Sequence, residues 1–383
     1  MILRKIDYHE FDEKPNYWVL KGLTLEKINL LVGKNATGKT NTLTRIGWLG
    51  NMLAGLQPQL LNSGNYDVEF SDNIHTYQYK LSLLHQKVQG EELSINGEQK
   101  FKRGSDGIGQ IFSAQFKTDM DFHLSPNQLV VSSKRDAIQH PFLEELAKWA
   151  EGQRMYEFAS KLGQDTVFVV NDMNNVVVDP RNADSVIGLF IKGIQELKDD
   201  FKKMIISSMK EIGYELKDIG FTSNRSAFPP IPLTAGANGL TIFVEEQDSK
   251  TTIWQPQMSQ GMFRALSLVI QISYNILKKL STTILIDDIG EGLDFDRSSR
   301  LIKLLIEIAE KNDNIQLIMS TNDRFVMNAV PLEYWQVIQR KGGECQVFNY
   351  RNSKEKFDDF EYTGLNNFDF LATDYLNSEW GKA

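Results

Sequence analysis

The chain has a single cysteine, Cys345, in 383 residues. That excludes an internal disulfide framework and any zinc site built on cysteine. Histidine is scarce as well, with five in the chain, and none follows His140, so the C-terminal half has no imidazole to shuttle a proton. No apolar run approaches the length of a membrane span. The start, Met1-Ile2-Leu3-Arg4-Lys5-Ile6, lacks the plan of a signal peptide, and the expectation is a cytoplasmic protein without a membrane partner. Excess positive charge is missing too: the net charge is −8, so the whole molecule does not attract nucleic acid. The basic clusters are short and have acidic neighbours: Lys100, Lys102 and Arg103; Lys134 and Arg135; Lys202 and Lys203; Lys278 and Lys279. They read as solvated faces, and DNA remains a possible but unsupported partner. There is no internal repeat, no low-complexity segment and no sustained heptad array. With 41% hydrophobic and 24% charged residues, the chain has the composition of a globular protein. Its length suits one composite domain with insertions, or two lobes.

Against these absences, Gly33 to Thr40 read G-K-N-A-T-G-K-T directly after the apolar run Ile28, Leu30, Leu31, Val32. A strand, a glycine loop and a helix start in this order form a phosphate-binding P-loop. Gly33 and Gly38 let the backbone curl so that successive N–H groups across Gly33, Lys34, Asn35, Ala36, Thr37 and Gly38 converge on phosphate. Lys39 adds a point charge toward the terminal phosphates. Thr40 offers a hydroxyl to Mg²⁺, and Asn41 continues the first helical turn. The expected ligands are ATP and Mg²⁺.

Further motifs follow in the second half. Thr283-Ile284-Leu285-Ile286-Asp287-Asp288 is a buried strand ending in carboxylates, the Walker B arrangement, with Asp287 holding the metal and Asp288 placed as general base. Upstream, Met258-Ser259-Gln260-Gly261-Met262 precedes an apolar helix from Phe263 to Leu280. A hydroxyl and a glycine at a helix start form an anion site. The P-loop already holds the phosphates of its own chain, so this second site serves best across a dimer interface. Downstream, Gly292-Leu293-Asp294 makes a loop.

With P-loop, signature (Met258 to Met262), Walker B and D-loop (Leu293-Asp294) in that order, the chain resembles the ABC-type ATPases. It is most similar to the SMC-related, non-transporter group that includes repair ATPases and the overcoming-lysogenisation-defect type. Compact bacterial AAA-family members of anti-phage and toxin–antitoxin-like systems belong to the same group. The resemblance implies an α/β P-loop fold of ABC-ATPase type with an antiparallel β subdomain and a helical insertion. It also implies a head-to-tail dimer in which ATP lies between one copy's Gly33–Thr40 and the other's Ser259, Gln260 and Gly261, with Asp294 at the same interface. Lys39, Asp288 and Asn322 would carry catalysis; Thr40 and Asp287 would hold Mg²⁺.

The chain departs from the family pattern in three ways. Asp288 stands where Glu is usual, which shortens the reach of the base. Asn322, in Ser320-Thr321-Asn322-Asp323 after the strand Ile315 to Met319, stands where His is frequent. The Q-loop glutamine has three candidates, Gln78, Gln86 and Gln115. The expected division is 1–135 for the first part of the core, 136–228 for a helical insertion, and 229–383 for the second part. Helices are expected over 141–163 and 183–213, and a β meander over 68–101. Pro229, Pro230 and Pro232 should mark a break, and a hairpin from Leu240 to Trp254 should turn at Asp248-Ser249-Lys250. No nuclease domain fits after the D-loop, so any effector, such as a nuclease or toxin, is expected on a separate protein. The aromatic tail (Phe357, Phe360, Tyr362, Phe368, Phe370, Tyr375 and Trp380) should mostly cover the protein's own core.

Overall fold

The computed structural model describes residues 1–11, 16–170, 172, 176–223, 238–247 and 251–377. The proline break, the turn at Asp248–Lys250 and Trp380 lie outside them.

Strands β1 (Ile2–Glu10) and β2 (Trp18–Thr24) form an antiparallel pair that leads to β3 (Ile28–Val32). The glycine loop follows, then α1 (Lys39–Leu53). Next comes a meander of β4 (Ser63–Ser71), β5 (Thr76–Leu84), β6 (Lys87–Ile95), β7 (Glu98–Gly104), β8 (Ile108–Ser113) and β9 (Thr118–His123). From β4 to β8 the alternating burial is the period-2 pattern read from the sequence, and the meander runs further in both directions than 68–101. A short α2 (Val130–Ser133), α3 (Pro141–Glu151) and β10 (Gln153–Glu157) return the chain to the core.

The segment expected to be helical is mixed. Besides α3 and α4 (Val186–Ile212) it contains β10, β11 (Phe168–Val170) and β12 (Leu216–Thr222). The helix expected over 141–163 stops at Glu151: Gly152 packs so closely that a Cβ there would stand 2.2 Å from the Ser281 carbonyl, and the chain then enters the sheet as β10. A small sheet joins β11 and β12 to the hairpin β13 (Asn238–Glu246) and β14 (Thr252–Trp254). The second half of the core is α5 (Gln260–Leu277), β15 (Thr282–Asp287), α6 (Phe295–Lys311), β16 (Ile315–Ser320), α7 (Arg324–Ala329), β17 (Trp335–Lys341), β18 (Glu344–Asn349), α8 (Lys354–Glu361) and α9 (Asn367–Ala372).

Among the described residues the main sheet has 14 strands, ordered β10-β15-β16-β3-β17-β18-β2-β1-β4-β5-β6-β7-β8-β9. From β10 to β17 neighbouring strands are parallel; from β1 to β9 they are antiparallel. The parallel strands are buried on both faces, which is why β3 and β15 read as continuous apolar runs. Their residues divide by parity. Leu30, Val32, Ile284, Ile286, Leu317 and Met319 join the core under α4, α5 and α6, whereas Leu31, Leu285 and Ile318 join the core under α1 and the meander. The tail aromatics Phe357, Phe360, Phe370 and Tyr375 are buried in the first of these cores, as expected, while Tyr362 is exposed. No helix of the described residues is long and apolar enough to cross a membrane.

Candidate nucleotide site

The parallel half brings the C-terminal ends of β3, β15 and β16 side by side, where the loops of an open α/β sheet form a ligand crevice. The loop after β3 is the P-loop. Gly33 is buried against the Ile338 carbonyl, 2.5 Å from where a Cβ would stand. Gly38 caps α1 with φ 104°, a backbone that L side chains rarely adopt, and a Cβ there would crowd the Cys345 sulfur at 3.1 Å. Between them Lys34, Asn35 and Ala36 are exposed and Thr37 is buried. The Thr37 hydroxyl donates to the Lys34 carbonyl at 2.9 Å, and the Cys345 thiol donates to the Thr37 carbonyl at 3.1 Å. Arg340 donates to the Ala36 carbonyl at 3.2 Å, tying β17 to the loop.

Lys39 is buried at 6% exposure, and its ammonium donates to the Gly33 and Lys34 carbonyls at 2.9 and 3.3 Å. Burial lowers its pKa below the ordinary lysine value, while the charges of Asp288 and Asp287 work in the opposite direction. Thr40 and Asn41 are exposed on the first turn of α1.

Walker A and Walker B meet through one hydrogen bond: the Thr40 hydroxyl donates to Asp287 Oδ1 at 3.1 Å. The same oxygen accepts from the Ser320 hydroxyl, and Ser320 Oγ in turn accepts the Asp288 N–H at 3.0 Å. Ser320 therefore links the Asp287 carboxylate and the Asp288 backbone to the end of β16, a role that sequence reasoning did not assign. Asp288 turns out of the strand with φ 52°, a left-handed conformation that Asp tolerates better than most residues. Its Oδ1 accepts from Asn322 Nδ2 at 3.0 Å. Burial pushes the Asp288 carboxyl above its ordinary value and the neighbouring Asp287 charge adds to this; Lys39 and Asn322 pull it back.

The donor set fits a hard divalent cation. Thr40 and Asp287 present two oxygens at a half-open point beside Lys39, the arrangement in which Mg²⁺ keeps several waters and completes its shell with phosphate oxygens.

The signature residues sit elsewhere on the same face. Ser259 caps α5 by accepting the Met262 N–H at 3.2 Å, and both Ser259 and Gln260 are exposed. Gly261 is buried, and a Cβ there would lie 2.5 Å from the Gly292 carbonyl and 3.0 Å from Leu293, so the signature helix rests on the D-loop. Asp294 caps α6 by accepting the Arg297 N–H at 3.0 Å, and it pairs with the Arg297 side chain at 2.7 Å; these contacts hold its carboxyl below the usual range. Arg264, one turn into α5, fixes the region from below by donating to the carbonyls of Ser160, Glu291 and Ala159.

None of Gln78, Gln86 and Gln115 comes near this crevice by topology. They lie on β5, in the β5–β6 turn and in the β8–β9 turn, in the antiparallel half. The strand end beside Walker B carries Glu157 instead, in register with Asp287. A second feature hidden in the sequence is the tail. Leu371, Asp374 and Asn377 line a cleft of about 210 Å³ together with Gly33, Lys34 and Thr37. No local pattern announces such a long-range contact.

A P-loop beside a carboxylate-ended strand, with a capped helix start and a tight loop on one mixed sheet, is the P-loop fold of the SMC/ABC head type. The chain belongs to the family described as "AAA domain, putative AbiEii toxin, Type IV TA system", whose model matches residues 28–328. Among solved structures it is similar to the Smc head bound to the C-winged helix domain of ScpA, at 12% identity over 93% of this chain and 100% of that chain, with a TM-score of 0.55. That likeness shows the fold. The SMC head domain from Thermotoga maritima matches at 13% identity over 91% of this chain and 99% of that one, with a TM-score of 0.45. No curated protein matches the chain.

Proposed function

We propose that the protein is an ATP-hydrolysing switch in which Mg²⁺–ATP draws two copies together head to tail and hydrolysis releases them. The single observation that carries the reading is the convergence of Thr40, Asp287, Asp288 and Asn322 around Ser320 beside the buried Lys39. The chemistry is phosphoryl transfer to water, which needs positioning and charge stabilisation more than covalent help. Lys39, released from its loop carbonyls, would neutralise charge on the terminal phosphates. Mg²⁺, held by Thr40 and Asp287, would screen the β- and γ-phosphate oxygens. Asn322 occupies Asp288 Oδ1, which leaves Oδ2 to orient the attacking water and take its proton. A raised pKa makes Asp288 a better base than an ordinary carboxylate at neutral pH. Ser259 and Gln260, exposed at the start of α5, would meet the γ-phosphate bound by the other copy.

A finer reading is a toxin–antitoxin-like or phage-defence module in which the ATPase gates a separate effector protein; its toxin–antitoxin part is supported by the family description, which reads "putative AbiEii toxin, Type IV TA system". The test is light scattering on wild type and Asp288→Asn with ADP and then Mg²⁺–ATP, alongside phosphate release. ATP-driven dimerisation that Asp288→Asn traps while stopping release supports the switch. Assembly that ignores nucleotide, with no release by wild type, sinks it in favour of an ATP-loaded scaffold.

A further inference from the structure

We propose that β9, the free edge of the main sheet, takes up an extended segment of a partner protein as an added strand, and that this segment alternates basic and apolar residues. The proposal does not rest on the nucleotide reading: β3, which carries the P-loop, lies ten strands away along the sheet. The two edges of that sheet are built differently. At one of them β10 has only Glu157 exposed, and the 3-10 turn Ala183–Ser185 packs against it. At the other, every residue of β9 is exposed except the half-buried Phe122. Because β9 pairs with β8 alone, the far side of its backbone offers N–H and carbonyl groups to a further strand.

The side chains beside that edge set the chemistry of the added strand. Read across the register, Asp67, Lys80, Glu92, Lys102, Gln110 and Asp121 form one row. Lys80 pairs with Asp67 at 3.6 Å, Lys102 pairs with Glu92 at 2.9 Å, and the Gln110 amide donates to Asp121 at 3.0 Å. The row alternates in sign and ends at the open edge on a carboxylate, so the next position along it calls for a cation. Asp119, on the same face, is in register with Phe112, whose ring has the Lys100 ammonium 5.0 Å from its centroid. Neither aspartate has an ion pair among the described residues. The nearby cations are engaged: Lys100 with Glu98, Lys102 with Glu92, and Lys134 over the Phe122 ring. Lys117 in the preceding turn and His123 at the strand's end flank the aspartates without an ion pair to either. The other face of β9 carries Met120 and Phe122, with Met120 in register with the buried Ile111, and apolar side chains would continue it. A second copy fits poorly. Antiparallel pairing of β9 with itself sets aspartate against aspartate in every register that pairs both.

The probe is a fluorescein-labelled peptide of alternating lysine and valine, as long as β9, titrated into the full chain and followed by fluorescence anisotropy. Two companions are run beside it: the same peptide with every backbone amide N-methylated, which keeps the charge and removes the donors, and a glutamate–valine peptide. Amide hydrogen exchange over 118–123 is measured with and without peptide. The lysine peptide should bind and slow exchange in β9, and each companion should bind at least about tenfold more weakly. Reversing both charges, Asp119→Lys with Asp121→Lys, should move the preference to the glutamate peptide while the melting temperature stays put, since both residues are exposed. Equal binding by the N-methylated peptide would reduce the effect to diffuse attraction toward a chain of net charge −8, and overturns the added strand. Absence of binding, or protection confined to other segments, overturns it as well. Protection of 118–123 that rises with protein concentration in the absence of peptide assigns the edge to a second copy and overturns the basic partner.

Discussion

The two halves of the main sheet treat carboxylates in opposite ways. On β6, in the antiparallel half, Glu91 is fully buried and every approach to it is taken. Arg103 Nε donates at 3.0 Å, the Tyr79 hydroxyl at 3.0 Å, and the Val130 N–H at 3.0 and 2.9 Å to its two oxygens. Arg103 passes the constraint on by donating to the carbonyls of Ser125 and Gln128. Burial pushes the Glu91 carboxyl up, and Arg103 with the other donors opposes the shift. At the end of β15, in the parallel half, Asp287 and Asp288 stand side by side with a like charge as neighbour. Their partners are two hydroxyls, one amide and the neighbouring Lys39 charge. A carboxylate whose lone pairs are all filled locks the segment that contains it. Paired carboxylates left short of positive charge, one of them on a left-handed backbone, hold an unfavourable charge that a cation and a polyphosphate can relieve.

Removing each charge in turn tests this contrast. Asp288→Asn should lower phosphate release by about 10²–10⁴-fold while ATP binding survives, because only the group that handles water is lost. Retention of turnover would mean that another residue orients the water, with Glu157, in register with Asp287, the next to examine. In the antiparallel half, Arg103→Leu should cost stability, not chemistry. It strands a buried carboxylate, and the unfolding free energy from denaturant titration should drop by about 3–5 kcal/mol. Replacing Glu91 and Arg103 together by leucine should recover much of that loss, since the uncompensated charge disappears. If the single and double variants unfold alike, Glu91 is not held as the geometry indicates.

A finer separation comes from Asn322→Ala. It removes a hydrogen bond to a charged group, about 1.5–3 kcal/mol in general, so turnover should fall by roughly tenfold or more. It should also change the pH profile. Turnover should fall on the acid side as Asp288 takes a proton. Asn322 favours the charged form, so its removal should move that limb further up. The sign for stability runs the other way from a salt-bridged aspartate. The folded pKa is raised, so ionised Asp288 works against the ligand-free fold at neutral pH, and stability is gained as pH falls toward the ordinary carboxylate value. Asp288→Asn should therefore melt slightly higher than wild type at pH 8 without nucleotide, and show no such gain once Mg²⁺–ATP is bound.

Much of this site is legible in the sequence because each motif is local. The P-loop strand, glycine loop and helix occupy 28–53 without a break, and the Walker B strand ends at its carboxylates. Local patterns also mark the capped helix at Ser259 and the hairpin at Lys341-Gly342-Gly343. What stays hidden depends on contacts across long separations. Ser320 becomes a hub only because β16 lies between β3 and β15. Glu157 stands beside Asp287 only because the chain after α3 re-enters the sheet, where apolar spacing around Leu143, Leu146 and Trp149 suggested a longer helix. The tail residues at the P-loop, and the partners that fill Glu91, leave no periodic trace at all.

The smallest expected effect belongs to Ser259, which sits between the two kinds of group. Its oxygen already has a structural task, accepting the Met262 N–H at the head of α5, yet the residue is exposed. Ser259→Ala removes the cap and should cost about 1 kcal/mol of stability. Ser259→Asp keeps a capping oxygen and adds charge at the positive end of the helix dipole, so by thermal melting it should be at least as stable as wild type. If the hydroxyl faces a phosphate held by the other copy, the same carboxylate should abolish ATP-driven dimerisation while leaving ATP binding to the single chain intact. A Ser259→Asp protein that dimerises normally would reduce Ser259 to a helix cap and leave the exposed end of α5 without a ligand.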